Sequence, residues 1–241
     1  MRAKGNKETT ISIQFRTLRS VYNKAIKRKC VGKEYYPFED FHINKFNVHT
    51  DKRAISKNDV LKIISADLTG KSEYVKFSRD IFVFSYLCGG INFCDVASLT
   101  KENILNGRLF YVRQKTGKQI NLCLTKNASA IIDKYYKGGK GFLFPILDVT
   151  RHITATQREN RLHKVLGQVD KSLKIVAQIA KVDVNLTTYV ARHSYATVLK
   201  RSGVPTSIIC ESLGHSSERV TQIYLDSFEN EQIDEAMKNL L

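Results

Sequence analysis

Several features that would assign a chain to a common class of protein are missing from these 241 residues. The five cysteines form no C-x-x-C pair and have no histidine at the spacing of a zinc finger. Because their number is odd and no secretory leader is visible, we expect reduced thiols and a cytoplasmic protein. The most apolar stretch, residues 81–99, is interrupted by Gly89, Gly90, Asn92 and Asp95. It therefore predicts a buried helix and its exit, and no membrane span.

Acidic residues are scarce beside basic ones. Lys and Arg number 39 against 23 Asp and Glu, which gives a formal net charge of +16. This balance favours a polyanionic partner, because basic side chains neutralise phosphates and release counterions. An anionic membrane would attract the same charge, but no helix with bulky apolar residues opposite a lysine face stands alone here. Nucleic acid is therefore the preferred partner, and no membrane is expected.

Helical periodicity dominates the chain. Apolar residues recur every three or four positions from Ile11 to Ile26, which predicts an amphipathic helix. A buried helix is expected over residues 74–88, and two alternating runs at 108–113 and 119–124 predict a β-hairpin. Further helices are expected at residues 128–136, 157–181, 186–202, 205–213, 217–226 and 229–241. The predicted fold class is mainly α with a small antiparallel β-sheet (α+β).

One stretch breaks this periodicity and suggests a division of the chain. Residues 36–53 have no sustained period and contain Pro37, so we expect a linker whose aromatic residues pack locally. We place the linker itself at 46–55, between a helical region at 1–45 and a larger domain at 56–241. Ser56 is expected to cap the first helix of that domain.

Three side chains in separate predicted helical segments are candidates to meet on one phosphate. Arg192 follows Tyr189 by three positions, so the two are expected to share a helix face. His215 ends a Leu-Gly-His sequence at a helix junction, and Tyr224 follows nine residues later. The short helices around Gly203 also fit a helix-turn-helix that reads DNA, which would need no chemistry from the histidine or the second tyrosine.

In order and spacing, these residues resemble the C-terminal signature of the tyrosine recombinases, the phage-integrase family. The similarity extends upstream, where residues 90–99 resemble the family's G-x-R-x-x-E/D-x-x-x-L segment. Lys115 lies in a turn that resembles the hairpin presenting the family's catalytic lysine. Residues 11–45 are similar to the end of the helical, SAM-like core-binding domain, which makes 1–45 a partial core-binding region and 56–241 the catalytic domain.

The resemblance implies cleavage and rejoining of double-stranded DNA through a 3′-phosphotyrosine, with no metal or other cofactor. Tyr224 would be the nucleophile, although a phenol of pKa near 10 needs help to lose its proton. Arg192 would hold two phosphate oxygens in its planar fork, and His215 would donate to another. Lys115 would protonate the departing 5′-oxygen, with Lys118 as the alternative.

Two positions depart from the family pattern. The first arginine of the pattern falls on Asn92, which carries no charge, and the first histidine falls on Tyr189. Another cation would then reach the phosphate, the enzyme would be slow, or the chain would be a DNA-binding relic. We expect the first outcome, because the other family positions are filled, and Arg79 is one conceivable substitute.

The expected function is therefore that of a site-specific recombinase of the integrase or invertase type, encoded by a bacterium, a phage or another mobile element. The alternatives are a type IB topoisomerase-like nicking and closing enzyme and a non-catalytic DNA-binding protein of the same fold. The apolar stripe of residues 229–241 suits packing on its own domain or docking on a neighbouring protomer. The second possibility corresponds to a tetramer on DNA.

Overall fold

A computed structural model describes residues 5–46, 54–139 and 141–225, without the side chains of residues 223 and 224. Two units divide the chain, Met1–Lys52 and Arg53–Leu241. The described residues form nine α-helices and one three-stranded antiparallel sheet. This confirms the predicted mainly α class with a small antiparallel sheet.

The first unit is built on α1 (Glu8–Lys27), which covers the helix predicted at 11–26. Two single helical turns follow, at Lys33–Tyr35 and Ile43–Lys45. A small core contains Ile11, Phe38, Ile43 and Phe46. The aromatic residues of 36–46 therefore pack locally against the helix, as their composition predicted, whereas 47–53 lie outside the described residues.

The second unit opens with three helices, α2 (Lys57–Ser65), α3 (Glu73–Leu87) and α4 (Phe93–Ser98). Helix α2 begins where predicted, because the Ser56 side chain accepts a hydrogen bond from the Asp59 backbone N–H at 3.1 Å. Helix α3 is buried over most of its length and packs against α6 and α7. It is therefore the central element of the unit's core, and its exit at residues 89–91 leads into the site described below.

The sheet contains β1 (Ile104–Leu105), β2 (Arg108–Val112) and β3 (Gln119–Cys123), in that order and antiparallel. Strands β2 and β3 confirm the predicted hairpin. Strand β1 was not predicted, because two residues are too few to show an alternation. The Asn106-Gly107 dipeptide was the available signal, since both residues adopt positive φ in the turn between β1 and β2.

Five helices complete the described chain: α5 (Lys126–Tyr135), α6 (Ala155–Ile179), α7 (Thr188–Arg201), α8 (Thr206–Leu213) and α9 (Glu218–Leu225). Each was predicted with bounds that differ by at most two residues. The helix predicted at 229–241 falls outside the described residues. Within the described part of the chain, no helix is long and apolar enough to cross a membrane.

Candidate active site

Arg192 lies in α7 and is only 2% exposed. Its Nη1 donates to the Gly90 carbonyl at 2.8 Å, and its Nη2 donates to the Leu213 carbonyl. A buried guanidinium requires such partners, because the loss of its hydration would otherwise be costly. The arginine therefore ties the exit of α3 to the end of α8 and is held there in one orientation.

Gly90 is fitted to this arginine. Its φ is +63°, and a Cβ at this position would lie 2.8 Å from the Cα of Arg192 and 2.9 Å from its Cγ. Both the left-handed backbone and the close approach exclude a larger residue. The glycine of the G-x-R-like segment thus allows the α3 exit to lie directly on α7.

His215 is positioned by the end of α8. Gly214 ends that helix in the left-handed conformation, with φ 61°, and the His215 backbone N–H donates to the Cys210 carbonyl at 3.0 Å. His215 is 8% exposed, and its Nδ1 lies 2.8 Å from the Thr221 hydroxyl oxygen of α9. The ring therefore bridges the end of one helix and the first half of the next.

Burial is the main reason that the pKa of His215 is lowered to about 4, and the positive charges of Arg192, Arg113 and Lys115 act in the same direction. The imidazole is consequently neutral near pH 7. A neutral imidazole has one donor nitrogen and one acceptor nitrogen, so it can still donate a single hydrogen bond to an oxygen.

Lys115 occupies the turn between β2 and β3, and the residues on both sides of it are anchored. On one side, the Gln114 backbone N–H donates to the Asp95 carboxylate at 3.0 Å, which ties the turn to α4. On the other side, the Thr116 hydroxyl donates to the Gly214 carbonyl at 2.9 Å. The exposed lysine is thereby presented beside His215 from a fixed turn. Lys118, the alternative, is not among the charges that lower the pKa of that histidine.

Arg113 is the residue of this region that sequence reasoning missed. It directly follows β2, is 5% exposed, and donates from Nη1 to the Gly214 carbonyl at 2.7 Å. The strand's alternation was a usable signal, because Leu109, Tyr111 and Arg113 occupy successive positions on the buried face. This alternation predicts that Arg113 is buried and therefore needs polar partners.

Arg79 is engaged elsewhere. Its Nε lies 2.9 Å from Asp80 Oδ1 and its Nη1 donates to the Ala66 carbonyl at 3.4 Å. Lys134 approaches the same carboxylate at 2.7 Å. This ion-pair cluster links α3 to α5, and it gives no support to Arg79 as the substitute cation.

The two positions that depart from the family pattern have different surroundings. Asn92 is half-buried and directly precedes α4. Tyr189 is 53% exposed, although it lies three residues before the buried Arg192, and its ring stands edge-on to His193 with centroids 4.6 Å apart. Tyr189 and Arg192 therefore lie three positions apart on the same helix, but one side chain is exposed and the other is buried.

Tyr224 belongs to α9, one turn after Thr221. Helix α9 packs against α7, which carries Arg192, and against α8, which ends just before His215. The structure therefore brings Arg192, His215 and the Lys115 turn to one junction, and it places the backbone of Tyr224 on a helix that contacts this junction.

Comparison with known proteins identifies the family. The phage integrase family profile matches residues 53–231, and the phage integrase SAM-like domain profile matches residues 1–47. Since the first match covers most of the chain, the protein belongs to the phage integrase family.

Sequence relatives include two named tyrosine recombinases. XerA of Pyrococcus horikoshii is 26% identical over 201 residues, which cover 80% of this chain and 65% of XerA. XerS of Streptococcus pyogenes is 25% identical over 171 residues, which cover 67% of this chain and 45% of XerS. The chain thus spans less than two thirds of the length of either relative.

Solved structures share the fold. The Tn1549 transposon integrase in complex with circular intermediate DNA has a TM-score of 0.65 at 18% identity, covering 100% of this chain and 83% of the other. A lambda integrase dimer bound to a COC′ core site has a TM-score of 0.58 at 16% identity, covering 88% and 73%. The described fold is therefore that of an integrase.

Proposed function

We propose that the chain is a site-specific DNA recombinase that cleaves and rejoins DNA through a 3′-phosphotyrosine on Tyr224. The observation that carries the proposal is the buried Arg192, which is fixed by two carbonyls beside His215 and the anchored Lys115 turn. Fixed donors around one point are what the charge of a phosphoryl-transfer transition state requires.

Each side chain has a distinct task in this mechanism. Tyr224 loses its phenolic proton to the solvent and forms a bond to phosphorus, while the bond from phosphorus to the 5′-oxygen breaks. Arg192 stabilises the charge on the non-bridging oxygens, and the neutral His215 donates a hydrogen bond to one of them. Lys115 gives its proton to the departing 5′-oxygen. A different 5′-hydroxyl then attacks the phosphotyrosine, which exchanges strands without hydrolysis.

Double-stranded DNA is the proposed substrate, and we propose that the chain acts on it as an oligomer. The net charge of +16 suits a long phosphate backbone, and the two solved structures described above are DNA complexes. In this proposal, residues 1–45 belong to the core-binding region, 46–55 link it to the catalytic domain at 56–241, and the segment 229–241 docks on a neighbouring protomer of a tetramer.

The first prediction tests the nucleophile. The protein is incubated with nicked duplexes from the DNA that flanks its gene, and covalent adducts are detected on denaturing gels. Wild type is expected to form an adduct and Tyr224→Phe to form none, because only the phenolic oxygen can attack. Binding of the variant to the same duplex serves as the control for folding.

The fate of the adduct separates the proposal from its rivals. Joining of the cleaved strand to a second duplex supports a recombinase, whereas relaxation of supercoiled DNA without joining would indicate a topoisomerase. Tight binding with no adduct from the wild type would leave a non-catalytic DNA-binding protein.

A further inference from the structure

Two buried guanidinium groups converge on the residues just before His215. Arg192 donates to the Leu213 carbonyl and Arg113 donates to the Gly214 carbonyl. These carbonyls belong to consecutive residues, whose Cα atoms lie about 3.8 Å apart. Two permanent positive charges are therefore held close together in a region with little solvent.

One buried carboxylate, that of Asp95, interacts with both of these charges. Burial raises the pKa of Asp95, while the charges of Arg113 and Arg192 oppose that rise, and this single carboxylate can offset at most one of the two charges. Among the described residues, Arg113 makes no ion pair. Lys115 adds a further positive charge beside the imidazole. Among the described residues of this region, positive charges therefore outnumber negative ones, which favours the binding of an anion.

Arg113 is bound less completely than its burial requires. Its Nη1 has the Gly214 carbonyl, but its buried Nε makes no hydrogen bond to any described residue. The same carbonyl already accepts a hydrogen bond from Thr116. A neutral hydroxyl is thus sufficient to hold the turn, and burying a charge for that purpose alone would be unfavourable.

We propose that Arg113 is a catalytic residue whose guanidinium, beside that of Arg192, stabilises the negative charge on the scissile phosphate. The proposal rests on the proposed recombinase function and assigns one more residue to its site. It also accounts for the uncharged Asn92, because the second arginine then comes from the end of β2 and not from the segment before α4.

The test compares two substrates that differ only at the scissile group. One is the nicked duplex that forms the adduct, and the other carries a methylphosphonate in place of the scissile phosphodiester. The methylphosphonate lacks the charge of one non-bridging oxygen, so its cleavage depends less on a cation. We expect Arg113→Met to slow cleavage of the phosphodiester by about 100-fold, as for the loss of one transition-state donor. The ratio of the phosphodiester rate to the methylphosphonate rate, which measures the preference for the charged substrate, should therefore be smaller in this variant than in wild type.

Thr116→Val is the matched control, because it removes the other donor to the Gly214 carbonyl and leaves the charge in place. It should slow cleavage of both substrates by the same factor, so the preference for the phosphodiester should stay as in wild type. Arg113→Lys retains a cation, so it should also preserve the preference for the phosphodiester. This variant keeps the test decisive if the methionine variant does not fold.

Two results would overturn the role of Arg113 while leaving the recombinase function intact. One is an equal loss on both substrates in Arg113→Met, which would indicate a purely structural residue. The other is cleavage by Asn92→Arg that is about 100-fold faster than cleavage by wild type, which would show that the site still lacks a positive charge. Absence of any wild-type adduct would instead overturn the proposed function, and this inference with it.

Discussion

At the scale of single residues, the candidate site depends on the orientation of one imidazole. His215 Nδ1 lies 2.8 Å from the Thr221 hydroxyl oxygen, and both side chains are buried. This contact fixes the orientation of the ring, and in the proposed mechanism Nε2 donates to a phosphate oxygen. Thr221 is thus a positioning residue in the proposed mechanism, since it acts through the histidine.

Replacing Thr221 by valine should test this role. The change removes the hydroxyl at nearly constant volume and leaves a buried ring nitrogen with one partner fewer, which costs about 1–3 kcal/mol. We expect adduct formation at saturating protein to slow about tenfold, since about 1.4 kcal/mol corresponds to a factor of ten. DNA affinity should change little, because the hydroxyl itself touches no DNA in this mechanism.

The control is Thr221→Ser, which keeps the hydroxyl and should react at close to the wild-type rate. A valine variant as fast as wild type would show that the hydroxyl does not orient the ring.

At the scale of elements, the site depends on turns more than on helices. The α3 exit, the β2–β3 turn and the α8–α9 junction each contribute a carbonyl or a side chain, and contacts between them span the chain. The Arg192 bond to Gly90 crosses 102 residues, and the Arg113 bond to Gly214 crosses 101. A change in one turn should therefore displace side chains that belong to another turn.

A pair of glycine variants tests this coupling. Gly90 and Gly107 both have positive φ, +63° and +71°, but only Gly90 has atoms of another element within reach of a new Cβ. Gly107→Ala should cost about 1–2 kcal/mol for the left-handed backbone alone. Gly90→Ala should cost about 1–3 kcal/mol more, because its Cβ would be forced against Arg192.

Urea unfolding measures both costs, and the adduct assay shows whether the arginine has moved. Gly107→Ala should keep its activity while Gly90→Ala loses most of it. Equal destabilisation of the two variants would mean that the turn relaxes away from α7 without strain.

At the scale of the whole molecule, the buried histidine links stability to pH. The pKa of His215 is lowered from 6.5 to about 4 in the folded protein. Between these values the unfolded chain binds a proton that the folded chain does not, so the free energy of unfolding falls as the pH falls. The stabilisation is fully present above pH 6.5 and is lost progressively towards pH 4.

The measurement is urea unfolding of wild type and His215→Gln at pH 7 and pH 4.5. Titration of all other groups is common to both proteins and cancels in the comparison. The free energy of unfolding of wild type should fall by on the order of 2–3 kcal/mol more than that of the variant over this interval, because each unit of pKa shift corresponds to about 1.36 kcal/mol. An identical pH dependence in the two proteins would assign the histidine an ordinary pKa.

Much of this fold was predictable from local pattern. The helical period identified α1 and α5 to α9, because one face of each amphipathic helix must be buried. Alternation identified the β2–β3 hairpin for the same reason. The two-residue strand β1 was missed, since only its Asn-Gly turn distinguished it, and no period can be seen in so short a segment.

The sequence by itself determined the family, the order of the elements and the spacing of Arg192, His215 and Tyr224, since these features are properties of local chain chemistry. Only the tertiary structure decided which arginines share the junction. It placed Arg113 beside the histidine and left Arg79 in an ion-pair cluster of α3. The reason is physical: burial and hydrogen bonding between turns a hundred residues apart depend on how the helices pack, and no local pattern records that packing.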